Sequence, residues 1–473
     1  MRFLLLFLGF GELVCGQQLR VKSANASSVQ LEWTGATGPV TVVRTAGTAS
    51  QNLATTDQAA YEDKSVGRFA TYRYHLSVNG KSSNEVTVGP PPGGVTNAAP
   101  VPKDVDPVKY GQASAIAFNE DGDPVIAFEW LDPKGENDYS KNEVWFVRWS
   151  RAAYRWLPPV RVQLVGDIAS QGLNPLSVAC DPKTGTLAIV TPVATTGASV
   201  LVSTDSGATW KGTALPGISE QVYSSAAAIA GGTAHLVINT GESGGHYLSG
   251  SIDDVASWKD QPLPVESGWR VAPSSNVALA VDRAASPVIA WYEAQQEGDK
   301  HRFMVWRPGG KAAAAIETTH PADSPAIALA YGGGKLGLLA AAALDEKDTD
   351  HGVWYTQSPD GATWSKPSKL PVDGPRTTNP PLDVALDSHG SIVAVFGSNG
   401  GTASTTCNFP ALARSTDGAA WKTCGPGKAE GGDFAPQPAT LHVVEAENDK
   451  AFVLWQEPGE NKFRQGMLLW HER

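Results

Sequence analysis

The sequence predicts an all-β protein: a small N-terminal β-sandwich followed by a β-propeller. Three observations carry this expectation. Short alternating apolar runs are separated by turn residues throughout, with 49 Gly and 33 Pro among 473 residues. A three-strand pattern recurs every 49 to 62 residues from residue 104 onward. The phrase "STDSGATW" at Ser203 returns as "SPDGATW" at Ser358 and "STDGAAW" at Ser415.

The first sixteen residues, "MRFLLLFLGFGELVCG", pair Arg2 with the apolar run Phe3 to Phe10 and read as a secretory signal cut after Gly16. The run is too short to span a bilayer. Lipidation of Cys15 is the alternative, and Val14 fits it poorly. The mature chain is therefore expected to be secreted or periplasmic, without a membrane span. A net charge of −11 with no basic stripe argues against nucleic acid as a partner.

Residues 17–90 contain "VQLEWTG", "PVTVVRT" and "TYRYHLSVNGKSSNEVTVGPPP", short strands with turns between them. Trp33 early, Tyr72 and Tyr74 late, and "NEVTV" running into prolines resemble a fibronectin type III domain. The resemblance covers nearly the whole segment and implies a spacer or weak adhesion module of an exported bacterial protein. Residues 91–103 read as a Pro/Gly linker.

In residues 104–473 each unit has a first strand ending near Asn119, Asp181, Ala230, Asp282, Tyr331, Asp387 or Glu445. A second strand follows, such as "PVIAFEW", "PVIAWYE" or "AFVLWQE", then a third, and in most units a fourth begun by Trp. Four antiparallel strands per unit describe a propeller blade. Seven blades are expected, or six if the unit containing "AIAGGTAHL" is not one. The seventh unit ends at its third strand, so a segment from Val95 to Val108 is expected to complete it and close the ring.

The repeated phrase falls between third and fourth strands. It resembles the Asp-box, or bacterial neuraminidase repeat, of the sialidase superfamily. Ser203, Asp205, Gly207 and Trp210, then Ser358, Asp360 and Trp364, then Ser415, Asp417 and Trp421 carry the resemblance. Ser and Asp side chains hold backbone amides in a tight turn, and Gly permits positive φ. These residues are expected to be structural rather than catalytic.

Strand alternation places the loops between second and third strands, and the connections between units, on the opposite face. Ligand-binding candidates there are Tyr110, Glu129, Trp130, Arg270, Glu293, Asp323 and Arg376, with Glu457 beside them. Glu129, Glu293 and Glu457 are read as recurring at one place in three units, which favours a structural role. Arg270 and Arg376 could grip a carboxylate. The run Asp345 to His351 reads as a solvated acidic loop in preference to a Ca²⁺ site. Cys407–Cys424 is the available disulfide; a hairpin offset of about 16 Å opposes it, and a folded-back loop would permit it. Cys180 reads as a small buried hydrophobe. No metal site or cofactor is implied.

The superfamily resemblance implies a carbohydrate-directed protein. A sialidase would need three arginines, a Tyr–Glu nucleophile pair and an acidic proton donor. The Phe/Tyr-Arg-Ile-Pro motif that supplies the first arginine is absent, and "VKYGQASAIAF" holds no arginine. The expectation is a non-catalytic module for a carbohydrate or protein ligand, with a divergent exo-glycosidase as the alternative.

Overall fold

A computed structural model describes residues 17–97, 109–131, 143–162, 176–193, 197–240, 244–273, 275–318, 325–342, 344, 352–371, 382–396, 411–424, 441–447, 450–458 and 464–471. The chain divides into two compact units, residues 1–90 with 150–155, and residues 91–149 with 156–473. The signal segment, Cys407, and the Asp345–His351 run lie outside the described residues, and of Cys424 the backbone alone is described.

The first unit holds two antiparallel sheets. One contains Gln18–Ala24, Val29–Thr34 and Ala60–Asp63; the other contains Ala49–Thr56, Val40–Ala46, Tyr72–Val78 and Lys81–Ser82, with Val86–Val88 also on Tyr72–Val78. Alternate residues of both face one core, including Leu31, Trp33, Val42, Tyr74 and Leu76. The two tyrosines are core groups with anchored hydroxyls. Tyr72 Oη accepts from the Gly67 amide at 2.8 Å, and Tyr74 Oη donates to Asp63 Oδ2 at 2.9 Å. Burial pushes the Asp63 carboxyl up. Hydrogen bonds from Ser65, Tyr74 and Arg44 outweigh burial and hold it below its ordinary range.

The second unit is a β-propeller, built from successive antiparallel sheets numbered here in chain order. Sheet 1 has Lys109–Phe118, Pro124–Leu131, Glu143–Ser150 and Val160–Val162. Sheet 2 has Ser177–Cys180, Leu187–Val193, Gly197–Ser203 and Lys211–Ala214. Sheet 3 has Ser224–Ala230, Thr233–Asn239, Gly245–Ser251 and Lys259–Pro262. In sheet 4 the first strand is split into Trp269–Val271 and Ala278–Val281, followed by Pro287–Gln295, His301–Trp306 and Ala313–Thr318. Sheet 5 has Ala326–Gly332, Lys335–Ala342, Gly352–Ser358 and Ser368–Lys369. Sheet 6 has Leu382–Leu386, Ile392–Phe396, Ala411–Ser415 and Lys422–Cys424. Sheet 7 has Leu441–Glu447, Lys450–Pro458 and Arg464–His471.

The fourth strand of sheet 7 comes from the other end of the unit. Gly94–Asn97 pairs antiparallel with Arg464–His471, Asn97 opposite Leu468 and Gly94 opposite His471. The stretch expected to be linker thus contains a strand, because the open edge of sheet 7 offers unpaired backbone groups that a nearby extended segment satisfies. A single pairing, Tyr110 with Arg464, also links sheets 7 and 1.

Apolar residues on both faces of each sheet build the core between neighbours. Separate clusters join sheets 1 and 2, 2 and 3, 3 and 4, 4 and 5, 5 and 6, and 6 and 7. The circuit closes at Phe118 of sheet 1, which meets Phe452 of sheet 7 edge-on at 5.1 Å. The first strands contact one another in the same cyclic order. Polar side chains lace them where backbone pairing is impossible. Ser177 and Ser225 hydroxyls meet at 3.0 Å, Ser224 Oγ accepts the Val277 amide, and Asn276 bonds both the amide and the carbonyl of Ile327.

Turns between first and second strands use two chemistries. Asn119, Asp181, Asp282 and Asp387 accept, through Oδ1, an amide two residues on. In each of these turns one residue adopts positive φ: Gly122, Gly185, Ala285 and Gly390. Sheets 3 and 5 lack the acidic residue and use Gly231-Gly232 and Gly333-Gly334, with φ positive at both positions, as a tight two-residue hairpin requires.

The repeated phrase forms a closed local circuit. Ser203 Oγ donates to Asp205 Oδ1 at 2.8 Å and accepts the Gly207 amide, while Asp205 Oδ1 accepts the Thr209 amide. Ser358 and Asp360, and Ser415 and Asp417, repeat it. Trp210 and Trp364 each donate Nε1 to the phrase's own Gly carbonyl; Trp421 Nε1 has no partner among the described residues. Glycine is obligatory at Gly207 and Gly418. Both have positive φ, and a Cβ would run into Phe146 of sheet 1 or Tyr355 of sheet 5. Trp210 and Trp421 meet those same rings edge-on. "SIDDVASW" in sheet 3 departs from the pattern: Val255–Ser257 is a 3-10 turn, and Trp258 Nε1 donates to the Ser251 carbonyl.

Two predictions follow from the turns. Ala285 stands at φ +60° where the equivalent residues are glycine. Ala285→Gly should therefore raise unfolding free energy by about 0.5–1 kcal/mol, the left-handed strain relieved less the entropy that glycine adds to the unfolded chain; urea denaturation measures this. Hydrogen bonds from Thr209 and Ser203 hold the Asp205 carboxyl down to about 2. A depressed carboxyl stabilises the fold above its unfolded value near 4, and that contribution fades as pH falls from about 4 to 2. Asp205→Asn should be less stable than the parent at pH 6, with the gap narrowing toward pH 2 in thermal melts.

Candidate functional site

At the end of the sheets opposite the Ser-Asp-Gly turns, sheet 4 carries two of the nominated residues, Arg270 and Glu293. Its split first strand runs beside the end of Pro287–Gln295, with Trp269 opposite Gln295, Arg270 opposite Ala294 and Val271 opposite Glu293. The third strand places Arg302 directly across from Glu293. Cross-strand partners share a face of the sheet, so the two charges meet.

Glu293 has no solvent exposure. Trp291 Nε1 donates to its Oε1 at 2.7 Å, and Arg302 Nε donates to Oε2 at 2.7 Å. Arg302 Nη2 lies 2.7 Å from Oε2, and Nη1 reaches the exposed Glu266 at 3.0 Å. The guanidinium also lies over the Trp269 ring, 3.9 Å from its centroid. Burial pushes the Glu293 carboxyl up, with Trp291 and Arg302 opposing. Both oxygens are engaged and closed off from water, so Glu293 has no position from which to exchange a proton with a ligand. What the cluster does is fix Trp269, half-buried, next to the exposed Arg270.

The expectation that Glu129 and Glu293 occupy the same place is corrected by register. Pro124 pairs with Phe118 and Pro287 with Val281, so Pro124 and Pro287 are equivalent. Counting forward, Glu129 matches Tyr292, while Trp130 matches Glu293. A one-residue offset turns a side chain to the other face of its sheet. Glu129 therefore faces sheet 2, together with Val125 and Ala127, whereas Glu293 shares its face with Ile289 and Trp291, which pack toward sheet 3. Both glutamates are buried, against their nomination as ligand contacts.

Tyr110 and Trp130 pair with each other across sheet 1; of these and of Glu457 the backbone alone is described. Asp323 and Arg376 lie outside the described residues. Arg302, Glu266 and Trp269 were not singled out from the sequence. The signal was present: folding "PVIAWYEAQ" against "HRFMVW" about the loop between them sets Glu293 opposite Arg302, two opposite charges inside apolar strands.

Among the described residues, no three His, Cys, Asp or Glu side chains are grouped to hold a metal, and no helix is long and apolar enough to cross a membrane. Cys180 is half-buried and unbridged, and burial pushes its thiol up to about 12.

No protein-family model and no curated protein matches the chain. Solved structures of similar backbone include the Aleuria aurantia lectin AAL (13% identity, TM-score 0.41, covering 69% of this chain and 100% of that one). Others are the Hadza microbial sialidase Hz136 (11%, 0.41, 97% and 94%) and the Penicillium chrysogenum alpha-L-arabinanase (12%, 0.45, 80% and 97%). Similarity of this degree carries no argument about what this chain binds or transforms.

The buried ion pair yields a stability prediction. Removing one partner strands the other charge in the interior, so Arg302→Ala should lower unfolding free energy by about 3–5 kcal/mol. Denaturant titration measures the loss. Replacing both Arg302 and Glu293 by apolar residues should recover part of it.

Proposed function

We propose that this protein is an exported binding module: a fibronectin type III-like domain carrying a seven-bladed, Asp-box β-propeller that engages a carbohydrate or protein ligand without transforming it. The observation that carries the reading is the state of Glu293. The carboxylate at the centre of the candidate site is consumed by Trp291 and Arg302. What this end of sheet 4 offers outward is a half-buried indole at Trp269, on the face of Glu293, and an exposed Arg270 on the other face. These groups bind, by stacking and by charge-assisted hydrogen bonds. Glycoside hydrolysis needs two carboxyl groups about 5 to 10 Å apart with access to the bond. Asp205, Asp360 and Asp417 do not supply them, since each is tied into its own turn.

The count of seven rests on seven first strands in cyclic contact, the last sheet completed by Gly94–Asn97. The fibronectin-like assignment rests on the three- and five-stranded sheets of the first unit and on the anchored Tyr72. An address outside the cytoplasm rests on the N-terminal sequence.

The test pairs a glycan array with a panel of chromogenic glycosides that includes a sialoside. Binding without turnover, weakened tenfold or more by Arg270→Ala, is the expected result. Turnover that disappears in Arg270→Ala or Arg376→Ala would establish the glycosidase alternative instead.

A further inference from the structure

We propose that His235 makes the seam between sheets 3 and 4 sensitive to acid: a proton taken up on its ring loosens that seam while the rest of the second unit stays folded. His235 lies in the middle of Thr233–Asn239, the second strand of sheet 3, and is 7% exposed. Its Nδ1 is 2.8 Å from the Tyr247 hydroxyl, and the two rings lie nearly parallel, 8° apart. Tyr247 in turn meets Trp306 of sheet 4 edge-on at 5.9 Å. The histidine is thus one contact removed from the apolar cluster of Val237, Tyr247, Ile289, Trp291, Met304 and Trp306 that joins the two sheets.

Among the described residues, the charged and titratable groups around it offer an imidazolium no acidic partner. Across the sheet His235 faces Ala228 on one side and Ser249 on the other. Lys259, opposite Ser249 on the outer strand, brings a like charge. His246 turns to the other face of the sheet and is paired with Asp260. From sheet 4, Asp282 is paired with Arg307 at the turn end, and Glu293 with Arg302 at the other end. A charged ring here would be desolvated with no counter-charge; its Nδ1–H would keep only the neutral Tyr247 hydroxyl as acceptor.

The sign follows from burial, which lowers the pKa of this histidine in the folded state. The fold is favoured fully above the unfolded value near 6.5, and that contribution is lost as pH falls below it toward the folded value. Sheet 4 carries a second buried pair of this kind on its far side, Tyr292 stacked on His301 at 5.7 Å, but His301 is less buried and has Asp299 nearby.

The experiment is amide hydrogen exchange on the full chain at pH 7.5 and 5.5, corrected for intrinsic rates, with the His235 ring followed by NMR. Expected are an apparent pKa below 6.5 for His235 and a loss of protection at pH 5.5 that is severalfold and at most about tenfold, the ceiling for one group with an unfolded value near 6.5. The loss should be confined to Thr233–Asn239, Gly245–Ser251 and His301–Trp306, and absent in His235→Gln. An ordinary titration near 6.5 with unchanged protection overturns the proposal, as does the same local loss in His235→Gln. If that variant does not fold, the ring titration and the location of the exchange in the parent decide alone.

Discussion

The antiparallel pairing of Gly94–Asn97 with Arg464–His471 is the contact on which the rest of the second unit depends. Each sheet is apolar on both faces and needs a neighbour on each side. A row of such sheets would leave one face bare at either end and one incomplete edge in sheet 7. Joining the two ends removes both faults at once. The clusters between sheets, the contact of Phe118 with Phe452, and the Ser and Asn lacing of the first strands then form a continuous circuit.

Much of this circuit was legible in the sequence, for a physical reason. Second strands buried on both faces read as apolar runs such as "PVIAFEW" and "PVIAWYE", and the turn residues between them occur at fixed offsets. The Ser-Asp-Gly-Trp phrase was legible because all its bonds lie within eight residues. The completing strand was legible as a need, since the seventh unit supplies three strands, though the composition of the segment, rich in Pro and Gly, spoke for a linker.

The candidate site was less legible. Side-chain direction in a strand depends on an exact count from the turn, and the eye aligned Glu129 with Glu293 by their aromatic neighbours, one residue out. The Trp269–Arg302–Glu293–Glu266 cluster draws on residues up to 36 positions apart. Its pieces are individually ordinary, and their meaning comes from the hairpin register. Arg270, also nominated from the sequence, is exposed on the split first strand of sheet 4.

The joining strand has a kinetic side as well. Its two partners are about 370 residues apart in the chain, whereas the Ser-Asp-Gly turns form among immediate neighbours. At ordinary rates of synthesis, Gly94–Asn97 leaves the ribosome roughly 20 to 75 s before Arg464–His471 exists to receive it. Closing the ring is thus the pairing of greatest sequence separation in the unit, the kind that forms last.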